Sequence, residues 1–276
     1  VLVNGQACEK ISSLDRGLLY GDGVFETIAI GDGVPLAWDL HLARLLRGCA
    51  RLAITGLDTQ ALAAEAHELC RGGDRGIVKV MVTRGIGQRG YRPEAGVMPT
   101  RIVQWHPWPK YPSGHWRDGV NLRWCQTRLA VQPLLAGIKH LNRLEQVLAR
   151  AEWDEPRIAE GLMCDTRGRV VSGTMSNVFF VADGVLHTPD IRDCGVAGVA
   201  RARILQWADQ ERLACRIDDY TPAALQAAKE VFVCNSVIGV WPVRSLDQVC
   251  YAPGALAARI MEALFPLARQ AALCRL

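Results

Sequence analysis

Along "FETIAIGDGVPLAW", Phe25, Thr27 and Ala29 fall to one side of an extended chain and Glu26, Ile28 and Ile30 to the other. Gly31-Asp32-Gly33 supplies a turn, so the stretch reads as a hairpin. The period lengthens in "WDLHLARLLRGCARLAI", where Leu42, Leu45, Leu46, Cys49 and Leu52 recur at helical spacing, with Asp39 as the expected cap. A second helix is expected from Thr59 to Cys70, and "GIVKVMVT" and "TRIVQW" are short strands rich in β-branched residues. The proline-dense "HPWPKYPSG", His106 to Gly114, breaks the pattern and reads as a linker. Beyond it come the strand "GVNLRWCQT", a helix starting near Asn142, and the strands "GLMCD", "GRVV" and "NVFFV" with Asp183-Gly184 as a turn. A helix from Val199 to Gln210, the strand "EVFVCN" and a C-terminal helix close the chain. Strands and helices mixed in this order predict an α+β protein: an N-terminal domain over 1–107, a linker over 108–118 and a C-terminal domain over 119–276.

One segment departs from simple patterning. In "LLAGIKHLNRLEQVLARAEW", Asn142 and Glu145 have the spacing of a capping box, and Leu141, Leu144, Leu148 and Ala151 form one apolar stripe. Lys139 then sits in an apolar, glycine-bearing approach to that helix. Burial there disfavours the ammonium and leaves a neutral amine, the nucleophile that forms Schiff bases with aldehydes. The alternative is a lysine whose stem lies along apolar surface while its head reaches water.

Composition narrows the classes. Of 276 residues, 50% are hydrophobic and 22% charged, which suits a soluble globular chain with a sizeable core. A net charge of +4, with no basic run interleaved with aromatics, excludes nucleic acid as the expected partner. Ten cysteines are scattered with no CxxC pair, which argues against zinc and against a disulfide framework, so no metal is expected. Neither a signal peptide nor an apolar run approaching the ~20 residues of a membrane span is evident, and the expectation is a reducing cytoplasm without membrane contact.

Seven blocks in order carry a resemblance: "DRGLLYGDGVFETI", "HLARL", "TRGIGQRGY", "GIKHLNRLEQVLAR", "SGTMSNVFFV", "CGVAGVARARIL" and "VCNSVIGVWPV". The chain resembles the fold-type IV pyridoxal 5′-phosphate enzymes, the group that contains branched-chain and D-amino-acid aminotransferases. The resemblance implies two α/β domains with the cofactor, pyridoxal 5′-phosphate, between them. It also implies a homodimer and a small anionic substrate. "KHLNRLEQV" points to the lyase branch of that group, with amino transfer as the alternative and a non-catalytic cofactor-binding homologue behind it.

Residue by residue, the resemblance makes Lys139 the Schiff-base lysine, serving as both base and acid, and Arg44 the arginine that holds the cofactor phosphate. In "GVAG", Gly198 opens a helix whose first residues, Val199 and Ala200, offer backbone N–H groups to the same phosphate. Ser236 is a second phosphate contact, and Asn235 beside it belongs to the substrate mouth. Arg89 is matched to an arginine that receives a substrate carboxylate, for which a guanidinium fork is suited. Tyr91 and Phe25 line the same pocket, and Arg84 is the second choice of arginine. Glu26 falls in a matched block or is only the polar side of a hairpin strand. One position departs from the pattern: the family's glutamate, five residues before Asn177 and paired with the ring nitrogen, is Ser172 here. A hydroxyl can only hydrogen-bond, so the expectation is a ring nitrogen that is often neutral and a weaker electron sink. Three explanations stay open: adaptation to elimination, a low-activity variant, or replacement by another acid such as Asp165.

Overall fold

Strands form where β-branched residues concentrate and helices where apolar residues return every third or fourth position. The structure, a computed structural model, describes residues 1–276 apart from 72, 74, 253, 267 and 269–276. The chain divides into two units, Val1–Lys110 with Ile138–Arg143, and Tyr111–Gly137 with Leu144–Leu276.

The first unit runs β1 (Leu2–Val3), β2 (Gln6–Ala7), α1 (Arg16–Tyr20), β3 (Gly23–Gly31), β4 (Val34–Pro35), α2 (Trp38–Arg51), α3 (Thr59–Cys70), β5 (Arg75–Thr83) and β6 (Thr100–Pro107). Its sheet has the order β2-β1-β6-β5-β3-β4, with antiparallel neighbours throughout. One face buries Val24, Ile28 and Ile30 of β3 and Val78, Val80 and Val82 of β5, in one core with Leu45 and Cys49 of α2 and Leu62 and Ala66 of α3. The β3–β4 hairpin turns at Asp32 and Gly33, both at positive φ, as its Asp-Gly pair predicts.

The second unit runs α4 (Gly114–Arg117), β7 (Val120–Trp124), α5 (Leu144–Arg150), β8 (Ile158–Cys164), β9 (Val170–Gly173), β10 (Asn177–Ala182), β11 (Val185–Pro189) and α6 (Val199–Gln210). It continues through β12 (Cys215–Asp218), α7 (Pro222–Gln226), β13 (Glu230–Asn235), β14 (Gly239–Leu246), β15 (Val249–Cys250) and α8 (Ala255–Leu264). The sheet order is β12-β11-β10-β13-β14-β7-β8-β9, with β15 paired to β14. Parallel pairs join β7 to β14 and β8, and β11 to β12. Phe179, Phe180, Phe232 and Trp241 are fully buried in the main core of this unit.

Four expectations change. The cap of α2 is Ala37 in the left-handed region with no side-chain bond, and Asp39 lies in the first turn. The 108–118 stretch is not a free linker: it carries α4, and its Trp116 is buried and donates to the Ile238 carbonyl, so the unit boundary falls at 110. The capping box does not form, because Asn142 donates to the Gly21 carbonyl and Glu145 accepts from Ala130 N. The apolar stripe of α5 is exposed rather than buried, at Leu144 and Leu148 alike, since the helix buries only Ala149. Every cysteine among the described residues is a free thiol, and Cys274 lies outside them.

Candidate active site

Lys139 belongs to the first unit, although most of the chain around it belongs to the second. The short segment 138–141 lies against the start of β3: Phe25 N donates to the Lys139 carbonyl at 2.9 Å and Leu141 N to the Gly23 carbonyl at 2.9 Å. Glycine is required at 23, since a Cβ there would lie 2.5 Å from the Val82 carbonyl oxygen and 2.7 Å from the Leu141 side chain. The Lys139 ammonium then stands 4.4 Å from the centroid of the Phe25 ring, and Lys79 on β5 stands 5.6 Å from the same ring. Nothing in the sequence pattern marks Lys79. Only the antiparallel register, which pairs Thr27 with Lys79 and Phe25 with Met81, puts it on the Phe25 face.

The opposite face of β3 points Glu26 toward α2, where it is 1% exposed. Arg44 Nε donates to Glu26 Oε1 at 2.8 Å and its Nη2 to Oε2, a bidentate pair, while His41 Nδ1 donates to Oε2 at 2.6 Å. His41 and Arg44 share one face of α2 at a spacing of three. Burial pushes the Glu26 carboxyl up, but the hydrogen bonds from Arg44 and His41 outweigh it and hold the group below the usual carboxylate range. Burial pulls His41 down further than Glu26 raises it, so its ring is neutral. Lys139 keeps a partly exposed surface but is surrounded by protein. Burial first, and the Arg44 charge second, bring its amine from 10.5 to about 7. A neutral nucleophilic amine near physiological pH is thus available at position 139.

Arg89 and Tyr91 sit on an exposed loop, Tyr91 at 86% exposure. That loop is pinned from behind: Arg16 donates to the Gly90 carbonyl at 2.8 Å and the Tyr91 carbonyl at 2.9 Å, and Gly90 N donates to the Tyr20 hydroxyl. Arg84 is not free to take a carboxylate. Its guanidinium is spent on Asp22 and on the carbonyls of Leu52 and Ala53.

In the second unit, Asn177 at the start of β10 donates to the Val196 carbonyl at 3.0 Å. Its Oδ1 would lie 2.0 Å from a Cβ on Gly198. Gly198 caps α6 without a side-chain bond, so the first N–H groups, at the buried Val199 and Ala200, keep no side-chain acceptor from the cap. Ser236 is half-buried in the β13–β14 turn. Asn235 is largely spent on that turn: Oδ1 accepts from Val237 and Ile238, and Nδ2 donates to the Met175 carbonyl.

Ser172 is buried on β9, and its hydroxyl donates to the Gly173 carbonyl at 2.9 Å. The acid weighed as its replacement is already engaged elsewhere. Asp165 is bound to Arg169 and to the amides of Arg167 and Arg169. The buried Glu160, which no sequence pattern marked, accepts from Thr174, Met175 and Ser176 and shapes the turn between β9 and β10. No group of side chains among the described residues could hold a metal ion.

The first unit thus holds a lysine whose amine is brought to about 7 and a buried arginine–carboxylate pair, and the second a helix start behind a glycine cap. The chain belongs to the amino-transferase class IV family, whose profile matches residues 23–246. Among particular proteins, it is similar to 4-amino-4-deoxychorismate lyase from Pseudomonas aeruginosa, whose crystal structure matches at 51% identity with a TM-score of 0.93, covering 97% of this chain and 99% of that one. It is 35% identical to aminodeoxychorismate lyase from Vibrio harveyi over 89% of this chain and 90% of that protein. It is 30% identical to D-alanine aminotransferase from Bacillus licheniformis over 96% of this chain and 95% of that protein.

Proposed function

We propose that this chain is a pyridoxal 5′-phosphate-dependent lyase that converts 4-amino-4-deoxychorismate to 4-aminobenzoate and pyruvate. The observation that carries the reading is the Lys139 amine, brought to about 7 beside Phe25 and Arg44. It is supported by the two lyases to which the chain is similar.

The residues fit the cofactor. A lysine that loses its proton near neutrality suits an aldehyde. The N–H groups that open α6, approached through a glycine that admits no side chain, suit a phosphate. When bound, pyridoxal phosphate supplies an electron sink for the pair left when the carbon bearing nitrogen loses its proton. Lys139 would hold its aldehyde carbon; Arg44, Val199, Ala200 and Ser236 would hold its phosphate. Gly198 leaves room at the helix start, Asn177 holds the turn that leads to it, and Ser172 would be the partner of the ring nitrogen.

With the cofactor bound, Lys139 would take the proton from the nitrogen-bearing carbon of the substrate and return a proton to the departing enol carbon of pyruvate. Breaking the enol-ether C–O bond leaves an aromatic ring, which makes the elimination strongly downhill. Arg89 and Lys79 supply cations for the two substrate carboxylates, Phe25 and Tyr91 supply apolar walls, and Asn235 contributes its remaining N–H. In this reading the enzyme is a cytoplasmic homodimer. No helix among the described residues is long and apolar enough to cross a membrane.

Lys139→Ala is expected to abolish the near-ultraviolet and visible absorbance of lysine-bound cofactor and to lower 4-aminobenzoate formation at least a thousandfold. An unchanged spectrum would end the assignment. Amino transfer to a 2-oxo acid, without pyruvate release from aminodeoxychorismate, would replace the lyase by a transaminase.

A further inference from the structure

The proposed reaction has no use for Glu26 or His41, although both are almost wholly buried beside it. The charged and titratable groups that bear on Lys139 come from several elements: Glu26 from β3, His41 and Arg44 from α2, Lys79 from β5 and Arg143 from the 138–143 segment, with His140 its neighbour in the chain. His140 is held neutral, its ring pushed down to about 4 by burial and by Arg143. His41 is neutral as well. Glu26 is therefore the negative charge in this set, bonded to Arg44 and His41 and attracting the protonated form of Lys139.

Its geometry is that of a clamp. Both carboxylate oxygens are used, one by Arg44 Nε at 2.8 Å and the other by Arg44 Nη2 and His41 Nδ1. An arginine side chain is flexible, and gripping an anion with it costs conformational entropy unless something already orients it. A carboxylate behind the guanidinium does so and stabilises a buried cation while no other anion is present. Phe25, one residue before Glu26 on β3, carries the ring beside Lys139, so the same strand sets both ends of the arrangement.

We infer that Glu26 is a positioning residue, the resident counter-ion of this site, which locks Arg44 and His41 of α2 to β3 and keeps the arginine's charge from acting unopposed on Lys139. The inference deepens the proposed role of Lys139 and rests on it for its meaning, but its test needs no turnover. Neutralising Glu26 leaves Arg44 buried without its carboxylate, and the repulsion felt by a protonated Lys139 rises.

The test reads Lys139 directly in the full-length chain after the cofactor is removed with hydroxylamine. Trace acetylation with acetic anhydride as a function of pH, followed by mass spectrometry of the Lys139 peptide, gives the midpoint at which the amine becomes reactive. The unaltered chain is expected to show a midpoint near 7. Glu26→Gln is expected to lower it by roughly one pH unit, a tenfold change in proton affinity, and Arg44→Gln to raise it by a comparable amount. Glu26→Asp, which keeps the charge, should restore most of the shift. A Glu26→Gln chain that folds, by circular dichroism, and keeps the unaltered midpoint overturns the inference. If that variant does not fold, Glu26→Gln/Arg44→Gln removes the pair together. A midpoint below that of Arg44→Gln alone then supports the role of Glu26, and an identical midpoint overturns it. Failure of the lyase reading would appear in the Lys139→Ala spectrum and leave these midpoints in place.

Discussion

At the scale of a residue, Ser172 and Lys139 show how surroundings decide chemistry. A hydroxyl has one proton to give, and that of Ser172 goes to the Gly173 carbonyl. Its oxygen is left with lone pairs, which suit a protonated ring nitrogen better than the neutral one that a serine at 172 leads one to expect. Ser172 would thus act in the sense of the glutamate it replaces, but without its charge. Ser172→Ala is expected to lower turnover about tenfold, the worth of one hydrogen bond, with cofactor content unchanged. Equal rates by stopped assay would show that Oγ touches nothing the reaction uses. Lys139 is identifiable in the sequence by its block. Its acidity is not, because the depression to about 7 comes from burial and from Arg44, a neighbour supplied by a distant helix.

At the scale of an element, α6 and its approach form one unit. Its bounds, Val199–Gln210, match the periodicity read from the sequence, and Gly198 stands where a cap is expected. What the pattern could not disclose is why the cap is glycine: the Asn177 amide occupies the space a side chain would need while it holds the Val196 carbonyl. Gly198→Ala is expected to push Asn177 aside and weaken pyridoxal phosphate binding about tenfold or more, as read by equilibrium dialysis, with a lowered Tm. Wild-type affinity in that variant would remove the helix start from the phosphate site. By contrast, the apolar stripe that the spacing predicts on α5 is exposed at Leu144 and Leu148. Periodicity reveals that a helix has an apolar face and says nothing of what covers it.

At the scale of the whole molecule, exposed apolar side chains need an explanation. Leu144 is 75% exposed on α5, with Val147 and Leu148 beside it. In the other unit Leu14, Leu18, Leu19, Ile86 and Tyr91 are exposed around α1 and the loop that Arg16 pins. Large apolar side chains left exposed on each unit often mark a surface that meets another protein. The proposed homodimer accounts for it, and sedimentation at micromolar concentration should give a single dimeric species. Leu144→Glu/Leu148→Glu is expected to shift it to monomer. A wild-type chain that sediments as a monomer would refute the dimer, and a dimer untouched by the substitutions would move the interface away from α5.

The sequence by itself determined the α+β class, the extents of α3 and α6, the Asp-Gly hairpins and the candidacy of Lys139, Arg44 and Gly198. Each of these is written in local spacing or in a block of neighbouring residues. Tertiary structure alone decided that residues 138–143 join the first unit, that Glu26 clamps Arg44 and His41, that Lys79 shares the Phe25 ring with Lys139, and that Arg84 is already spent. The reason is physical: period and capping are properties of a few consecutive residues, whereas burial, register and charge pairing arise only when segments far apart in the chain are brought together.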